Sequence, residues 1–345
     1  MNGYLALSLE EQRAACLLVQ DALQLHAGSV EKDFWVCWIL RELFTLPDIQ
    51  THLTFKGGTS LSKAWKLIHR FSEDIDLIVD KEVLGFGGAA SPDQAPSQKQ
   101  RRVRNEALMS ACRDWVQKTL MPELSAIIEA TLGASGWQLE VDPDMPDGQC
   151  LLFHYPSAFS AESPGYVRPV VKIELGARSD DWPHEDKVIQ PYITEHFPAL
   201  GPDTAISVRV LSVERTFWEK ACLLHEETFR PMDGSKPRKF RMARHYYDLW
   251  CLLIAGVGER AIAETALFKR VAEHREIFFR YSWVDYTTHK PGTFRLSPPN
   301  AHLPLWMADY KAMQGPMFFG PTPTFEEMMI AVGQFEKAFN ATANG

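Results

Sequence analysis

The feature that most constrains this chain is a run of small residues that is followed, one helix later, by two aspartates in alternation. The run is Gly-Gly-Thr-Ser at residues 57–60, and the aspartates are Asp74 and Asp76. Between them, apolar residues recur at helical spacing over residues 61–68, which predicts an amphipathic helix. After this helix the pattern has period two, so Asp74 and Asp76 are predicted to project from the same face of a strand.

These two fragments predict complementary halves of a binding site. Two aspartates on one pleat repel each other unless a cation lies between them, and hard oxygen ligands suit Mg²⁺ or Mn²⁺. A Gly-Gly-Thr-Ser turn that leads into a helix offers backbone N–H groups and hydroxyls to an anion. Each fragment alone is more often structural than catalytic. Together they favour a site for a nucleoside triphosphate and its metal.

A third carboxylate is predicted on another strand. In the strand predicted over residues 169–175, alternation places Lys172 and Glu174 on one face. The centre of a sheet rarely carries a carboxylate unless that group is paired or bound to a metal. Glu174 is therefore a candidate for the site. The alternative is an ordinary ion pair between Glu174 and Lys172 at the edge of the sheet.

The second half of the chain is predicted to be mainly helical, and it carries the basic candidates. Lys220 lies beside the apolar stripe of a helix predicted over residues 213–227, where partial desolvation would suit a phosphate-binding ammonium. Further along, Arg241, Arg244 and Asp248 are predicted to share one helical face. Arginines make bidentate contacts with phosphate, and Asp248 would orient Lys220 or an arginine, or touch the substrate. His245 has a lesser predicted role.

The order of these motifs resembles a known signature. Gly-Gly, a helix and a strand with Asp-x-Asp resemble the DNA polymerase β-like nucleotidyltransferase superfamily. The fuller string Phe-Lys-Gly-Gly-Thr-Ser-Leu, followed by Arg-Phe-Ser-Glu-Asp-Ile-Asp-Leu, resembles the AbiEii/AbiGii toxin branch of that superfamily. Three more blocks, at residues 30–40, 214–221 and 238–250, resemble the same branch in the same order. The resemblance covers about residues 30–340.

The resemblance implies an α+β fold of two parts. Residues 1–205 would form the polymerase β-like core, a small mixed sheet with flanking helices, together with the N-terminal helices. Residues 206–345 would form a mainly helical domain that completes the nucleotide cleft. The implied protein is the toxin of a type IV toxin–antitoxin or abortive-infection system. It would transfer a nucleoside monophosphate from an NTP to a hydroxyl acceptor, the tRNA 3′ end in some members, and a separate antitoxin protein would be its partner.

The resemblance also assigns roles to individual residues. The metal would be Mg²⁺ or Mn²⁺, and its ligands would be Asp74, Asp76 and Glu174. The implied catalytic residues are Asp74, Asp76, Glu174, Lys220 and Asp248. The implied nucleotide-binding residues are Lys56, Gly57, Gly58, Thr59, Ser60, Ser72, Lys220, Arg241 and Arg244.

Composition narrows the remaining alternatives. A formal net charge of −8 argues against non-specific coating of nucleic acid, although it allows local basic patches. No stretch reaches membrane-spanning length without charge, and the six cysteines form no Cys-x-x-Cys pair, so we expect a cytoplasmic protein. Two alternatives remain: a kinase-like or protein-modifying transferase that acts on Ser or Thr, and a catalytically silent binding module.

Two further expectations concern local structure. Lys32 and Asp33 lie on a helix predicted over residues 30–44 and are expected to be solvated, since most charges on helix surfaces are. The alternative is that they reach the active site. Residues 183–202 contain four prolines and are expected to wrap around the surface.

Overall fold

The computed structural model describes residues 1–159, 167–200, 205–314, 318–319 and 322–344. The chain folds into two compact units. The first unit consists of Met1–Trp65 and Phe71–Leu211, and the second of Lys66–Arg70 and Ser212–Gly345. A short segment before Asp74 therefore belongs with the second half of the chain, and the units are not separated at a single position.

The first unit is built on one seven-stranded mixed sheet with the strand order β3-β4-β5-β2-β1-β7-β6. Its strands are β1 (Leu53–Lys56), β2 (Asp74–Val79), β3 (Gln138–Val141), β4 (Cys150–His154), β5 (Val170–Gly176), β6 (His184–Ile189) and β7 (Ile206–Leu211). Its helices are α1 (Asn2–Leu5), α2 (Leu9–Leu23), α3 (Ala27–Thr45), α4 (Gly57–Lys63), α5 (Gln98–Trp115), α6 (Met121–Leu132) and α7 (Tyr192–His196).

The centre of the sheet carries the motif. Strand β2 pairs with β1 in antiparallel and with β5 in parallel orientation. Its apolar residues Ile75 and Leu77 are buried, while Asp74 and Asp76 alternate with them and are half-buried. This period-two pattern is what the sequence predicts for a strand with one apolar face.

Helix α3 corrects the expectation for Lys32 and Asp33. The helix packs against the sheet and is buried over almost its whole length, and both side chains are only 5% exposed. Lys32 Nζ lies 2.6 Å from Glu73 Oε2. Asp33 accepts a hydrogen bond from Lys63 and another from the backbone N–H of Tyr192. Buried charges must be paired, so these residues are structural ion pairs and not a solvated surface pair.

One local expectation was wrong, and one stretch contains elements that the sequence did not predict. Helix α4 ends at Lys63 and does not continue to residue 68, because Lys66 has a positive φ of 54° that no helix can contain. The proline-rich stretch contains β6 and α7. Strand β6 is mostly exposed and pairs antiparallel with β7 as an edge strand, so its sequence lacks the apolar alternation that predicts a strand. Residues 201–202 of that stretch lie outside the described residues.

The second unit is helical. Its helices are α8 (Val213–Glu227), α9 (Arg244–Ile254), α10 (Val257–Ala263), α11 (Thr265–Phe278), α12 (Leu303–Met313) and α13 (Phe325–Ala341). Ser212 caps α8 by accepting the backbone N–H of Arg215, as predicted, and Thr324 forms a capping box at the start of α13. The α+β class, a mixed sheet followed by a mainly helical part, is confirmed. Within the described ranges, we find no helix with the length and apolar character needed to cross a membrane.

Candidate active site

A row of charged side chains crosses the middle of the sheet. Asp76 is opposite Glu174 on β5, and Asp74 is opposite Lys172. On the other side of β2, Asp76 is opposite Lys56 at the end of β1. Directly paired residues of neighbouring strands project from the same face. The sheet therefore brings Glu174 close to Asp74 and Asp76, which lie about a hundred positions earlier in the chain. We call Asp74, Asp76 and Glu174 the carboxylate row.

Asp74 lies among both cations and other acids. Glu174 Oε1 lies 3.0 Å from Lys172 Nζ, which is also 3.5 Å from Asp142. Burial raises the pKa of Asp74, and the neighbouring charges of Glu174 and Glu73 raise it further. Removing Asp74 from water and placing it beside like charges both disfavour its ionised form. An additional cation at this face would relieve that cost.

Gly57, the first residue of α4, lets the start of this helix lie directly against Asp76. Its φ is +82°, and a Cβ built there would lie 2.1 Å from Asp76 Oδ2. Any side chain would collide with the carboxylate, and a left-handed φ is itself unfavourable for other residues. Only glycine at this position lets the turn approach Asp76 so closely.

The hydroxyls of the same motif act within it. Thr59 Oγ1 donates to the carbonyl oxygen of Asp74 at 2.5 Å and lies 2.9 Å from Ser72 Oγ. Ser60 Oγ donates to the carbonyl of Gly57 at 2.9 Å. Both side chains are buried. The hydroxyls thus fix the turn against the start of β2, which is a different role from the predicted contact with an anion.

Lys56 and Gly58 complete the predicted nucleotide-binding set of this unit. Lys56 is half-buried, and its Nζ donates to Ser179 Oγ at 2.7 Å. Gly58 is half-buried in the first turn of α4. Lys56 is held on the rim of the row by Ser179.

The donor set fits a divalent cation bound by two carboxylates. Among the described residues, no group of three or more His, Cys, Asp or Glu side chains is gathered closely enough to form a complete metal shell. Mg²⁺ is usually held by one or two carboxylates plus phosphate oxygens of its substrate. Asp74 and Asp76 beside the bare backbone of Gly57 suit that mode. Glu174 contacts Lys172, so metal ligation by Glu174 stays a prediction.

The second unit contains a buried charged cluster around Asp248. The Asp248 side chain is fully buried, and both of its oxygens are used. Arg70 donates from Nε to Oδ1 at 2.6 Å and from Nη2 to Oδ2 at 2.8 Å. Lys220 Nζ lies 2.8 Å from Oδ2, and the Lys220 side chain is 9% exposed. We define these three residues as the Asp248 cluster.

The two basic side chains keep the carboxylate of Asp248 ionised. Burial would raise the pKa of Asp248, but the charges of Arg70 and Lys220 and their hydrogen bonds hold it far below its ordinary value. The pKa of Lys220 is lowered, first by burial and then by Arg70 and Arg244, although Asp248 opposes this. The carboxylate of Asp248 thus binds two basic side chains, and the net effect of the surroundings is to lower the pKa of Lys220.

Arg70 is the residue that sequence reasoning missed. It lies 178 positions from its partner in the chain. The sequence signal was its place in the Arg-Phe-Ser-Glu-Asp-Ile-Asp string. The aspartates of that string indicate a metal site, but nothing in it indicates a partner for the arginine. Arg70 ends the short segment that belongs to the second unit. Asp248 therefore binds Arg70 in addition to the predicted partner Lys220.

The arginines before α9 differ from their predicted arrangement. Helix α9 begins at Arg244, whereas Arg241 lies outside it with a φ of +61°. The expectation of one helical face shared by Arg241, Arg244 and Asp248 is therefore wrong for Arg241. Arg244 is half-buried in the first turn, one turn before Asp248. The pKa of His245 is lowered, first by burial and then by Lys220 and Arg244, which keeps this imidazole neutral.

The carboxylate row on neighbouring strands, with a glycine turn against Asp76, is the arrangement of a nucleotidyltransferase. The sequence agrees with that class: it matches the family described as "Nucleotidyl transferase AbiEii toxin, Type IV TA system" over residues 38–339. The chain belongs to this family of nucleotidyltransferase toxins. The match begins within α3 and ends within α13, so it includes both the carboxylate row and the Asp248 cluster.

The chain is also similar to solved structures. MenT4, a nucleotidyltransferase toxin from Mycobacterium tuberculosis H37Rv, superposes with a TM-score of 0.49 at 17% sequence identity. The alignment covers 94% of this chain and 89% of MenT4. No curated protein matches the sequence.

Proposed function

We propose that this toxin is a metal-dependent enzyme that transfers a nucleoside monophosphate from an NTP to a hydroxyl of an RNA, with the tRNA 3′ end as the acceptor. The observation that carries this proposal is the pair Asp74 and Asp76 on one face of β2, with the backbone of Gly57 in contact with Asp76. Two carboxylates can hold Mg²⁺ or Mn²⁺ on a triphosphate. The approach of bare backbone leaves room for phosphate oxygens.

The reaction assigns a task to each group of the first unit. Asp74 and Asp76 would hold the metal, which would supply positive charge to the phosphate oxygens. The acceptor hydroxyl forms a bond to the α-phosphorus, the bond to the bridging oxygen breaks, and pyrophosphate leaves. Glu174 accepts the proton of the hydroxyl, while Lys172 balances its charge. The turn at residues 57–60, with Lys56 and Ser72, lies along the nucleotide phosphates.

The basic residues of the second unit bind the negative charge of the triphosphate. Lys220 and Arg244 neutralise charge on the leaving pyrophosphate, and Arg241 adds a bidentate phosphate contact. Asp248 and Arg70 are positioning residues, because they hold the Lys220 ammonium in one place. A lysine fixed in this way loses little side-chain entropy when phosphate binds.

Transfer to RNA can be tested with the purified full chain. Each NTP, labelled at the α-phosphate, is incubated with the protein, total RNA and total protein extract, in the presence of Mg²⁺, Mn²⁺ or EDTA. We expect label in RNA, concentrated in the tRNA fraction and lost with EDTA. Label in protein alone would indicate the protein-modifying transferase and would refute this proposal.

Toxicity provides a second test in cells. Expression of the wild type should arrest growth, and Asp76→Asn should abolish the arrest at equal protein level. An antitoxin protein encoded beside the toxin should restore growth of the wild-type strain. If Asp76→Asn changes neither NTP turnover nor growth, the chain is a binding module and the enzymatic proposal fails.

A further inference from the structure

The loop between α8 and α9, residues 228–243, presents an aromatic side chain to solvent. Phe240 is 93% exposed, whereas Ile254, the next most exposed large apolar side chain among the described residues, is 68% exposed. Exposing a phenyl ring to water is unfavourable relative to burying it. A ring that stays exposed suggests that a binding partner covers it.

The loop is anchored before Phe240. Arg230 Nη1 donates to the carbonyl oxygens of Lys236 and Pro237 at 3.1 and 3.2 Å. Glu227 at the end of α8 binds both Arg230 and Arg238, the latter at 3.2 Å from Nε to Oε2. Four backbone and side-chain contacts therefore fix the chain up to Arg238.

The loop is also anchored after Phe240. Asp309 on α12 accepts the backbone N–H of Arg241 at 2.8 Å and that of Ala243 at 2.7 Å. Arg241 is held in the left-handed region at a φ of +61°, which is unfavourable for a residue with a side chain. Strain of this kind persists where the surrounding structure imposes it, commonly at functional sites. The exposure of Phe240 is thus a constrained feature of the loop.

The charge around Phe240 indicates the class of partner. Residues 228–243 contain five basic residues and one acidic residue, in a chain with a net charge of −8. Lys239 and Arg241, on either side of the ring, are both exposed. A local concentration of cations on an acidic protein attracts a polyanion. An aromatic ring between cations is the arrangement that proteins use to bind single-stranded nucleic acid, where bases stack and phosphates pair.

We infer that this loop binds unpaired RNA, with a base stacked on Phe240 and a flanking phosphate contacted by Lys239. This inference rests on the proposed function, because it assigns to the acceptor RNA a site for single-stranded nucleotides. Stacking on a phenyl ring tolerates any base. The loop would therefore select an unpaired end over a duplex without selecting its sequence.

The test measures RNA binding by the full chain. The probe is a fluorescein-labelled RNA hairpin with a short unpaired 3′ tail, and a blunt hairpin with the same stem is the reference. Phe240→Ala should weaken binding of the tailed hairpin roughly 5- to 150-fold and leave the blunt hairpin unchanged. Phe240→Trp should retain the wild-type affinity, because it keeps a stacking surface.

Two variants serve as controls for charge and for exposed apolar surface. Lys239→Gln should reduce the slope of log Kd against log salt by roughly 0.7 to 0.9, as expected for one lost phosphate contact. Ile254→Ser, which alters an exposed apolar residue of the same unit, should bind both hairpins like the wild type. Thermal melts should show that all variants are folded.

The outcomes separate this inference from the proposed function. If Phe240→Ala binds the tailed hairpin as tightly as the wild type, or loses both hairpins equally, the stacking site is refuted even when the wild type labels RNA. If Phe240→Ala keeps RNA binding but is no longer neutralised by the antitoxin, the loop is a protein-binding surface and the inference is wrong. If the wild type labels no RNA, the proposed function fails independently of the hairpin measurements.

Discussion

The carboxylate row of the first unit and the Asp248 cluster of the second unit are both built from buried or half-buried charges, but they are balanced in opposite ways. In the row, Asp74 lies beside other acids, and its pKa is raised by burial and by those neighbours. In the cluster, one carboxylate is bound by two cations, and the pKa of Asp248 is lowered strongly. The row would be stabilised by an added cation, whereas the carboxylate of the cluster already binds two basic side chains.

This difference predicts that substitutions in the two regions affect different properties of the protein. A half-buried row of acids costs folding free energy that a bound metal can recover, so its loss should reduce activity and not stability. A buried, fully paired cluster contributes to the packing of its unit, so its loss should reduce stability first. Substitutions in the row should therefore lower transfer activity more than stability, and substitutions in the Asp248 cluster should lower stability first.

Asp248→Asn should have the largest effect on stability. It leaves Arg70 and Lys220 buried beside a neutral side chain, and removing one partner of a buried ion pair typically costs about 3–5 kcal/mol. The free energy of unfolding, measured with urea, would report it. Glu214→Gln is the matched control, because it breaks the exposed pair with Arg260 in the same unit, and we expect about 0–1 kcal/mol. Equal effects of the two variants would contradict the structural role of the cluster.

Asp76→Asn should abolish most of the transfer activity and leave stability unchanged or slightly raised. Residues that merely support a metal ligand are worth roughly 10- to 100-fold, so a direct ligand should exceed that range. The measurement is the initial rate of label transfer to RNA together with a thermal melt. A loss of stability as large as that of Asp248→Asn would break the distinction between the two regions.

Gly57→Ala should lower activity more than stability. The new Cβ would lie 2.1 Å from Asp76 Oδ2 and must displace that carboxylate, and the left-handed φ adds roughly 1–2 kcal/mol of strain. Gly85→Ala is a close control, because Gly85 has a φ of +81° but open space around its Cβ. Both variants should lose similar stability, and only Gly57→Ala should lose transfer activity. If Gly85→Ala lost as much activity, the contact with Asp76 would not be the cause.

The mildest prediction concerns pH. Burial lowers the pKa of His225 to about 3, helped by His289, and its Nδ1 accepts the backbone N–H of Arg295. The unfolded chain binds a proton near pH 6.5 and the folded one does not, so stability falls as pH drops below 6.5 towards 3. The slope should approach about 1.4 kcal/mol per pH unit.

Unfolding experiments between pH 7 and about 5, above the range of ordinary carboxylates, would measure this slope. His225→Asn should flatten it, whereas His184→Asn, at a half-exposed site of the other unit, should not. An unchanged slope in His225→Asn would show that another group carries the acid sensitivity.

Much of the first unit could be predicted from local patterns. Alternation identified β2 with Asp74 and Asp76, and the same rule identified β5 with Glu174. In the second unit, the caps at Ser212 and Thr324 were predictable because capping depends on residues three positions apart. Strand β6 was not predictable, because an exposed edge strand is specified by its pairing with β7 and not by its own apolar pattern.

The sequence by itself determined the family, the local elements and the identity of the acids on β2. Those features depend on residue order over short distances, which propensity and periodicity report directly. Only the tertiary structure decided that Arg70 binds Asp248, that Lys32 and Asp33 are buried, and that Phe240 is exposed. Burial and long-range pairing depend on what packs around a residue, and one sequence contains no local signal for its distant neighbours.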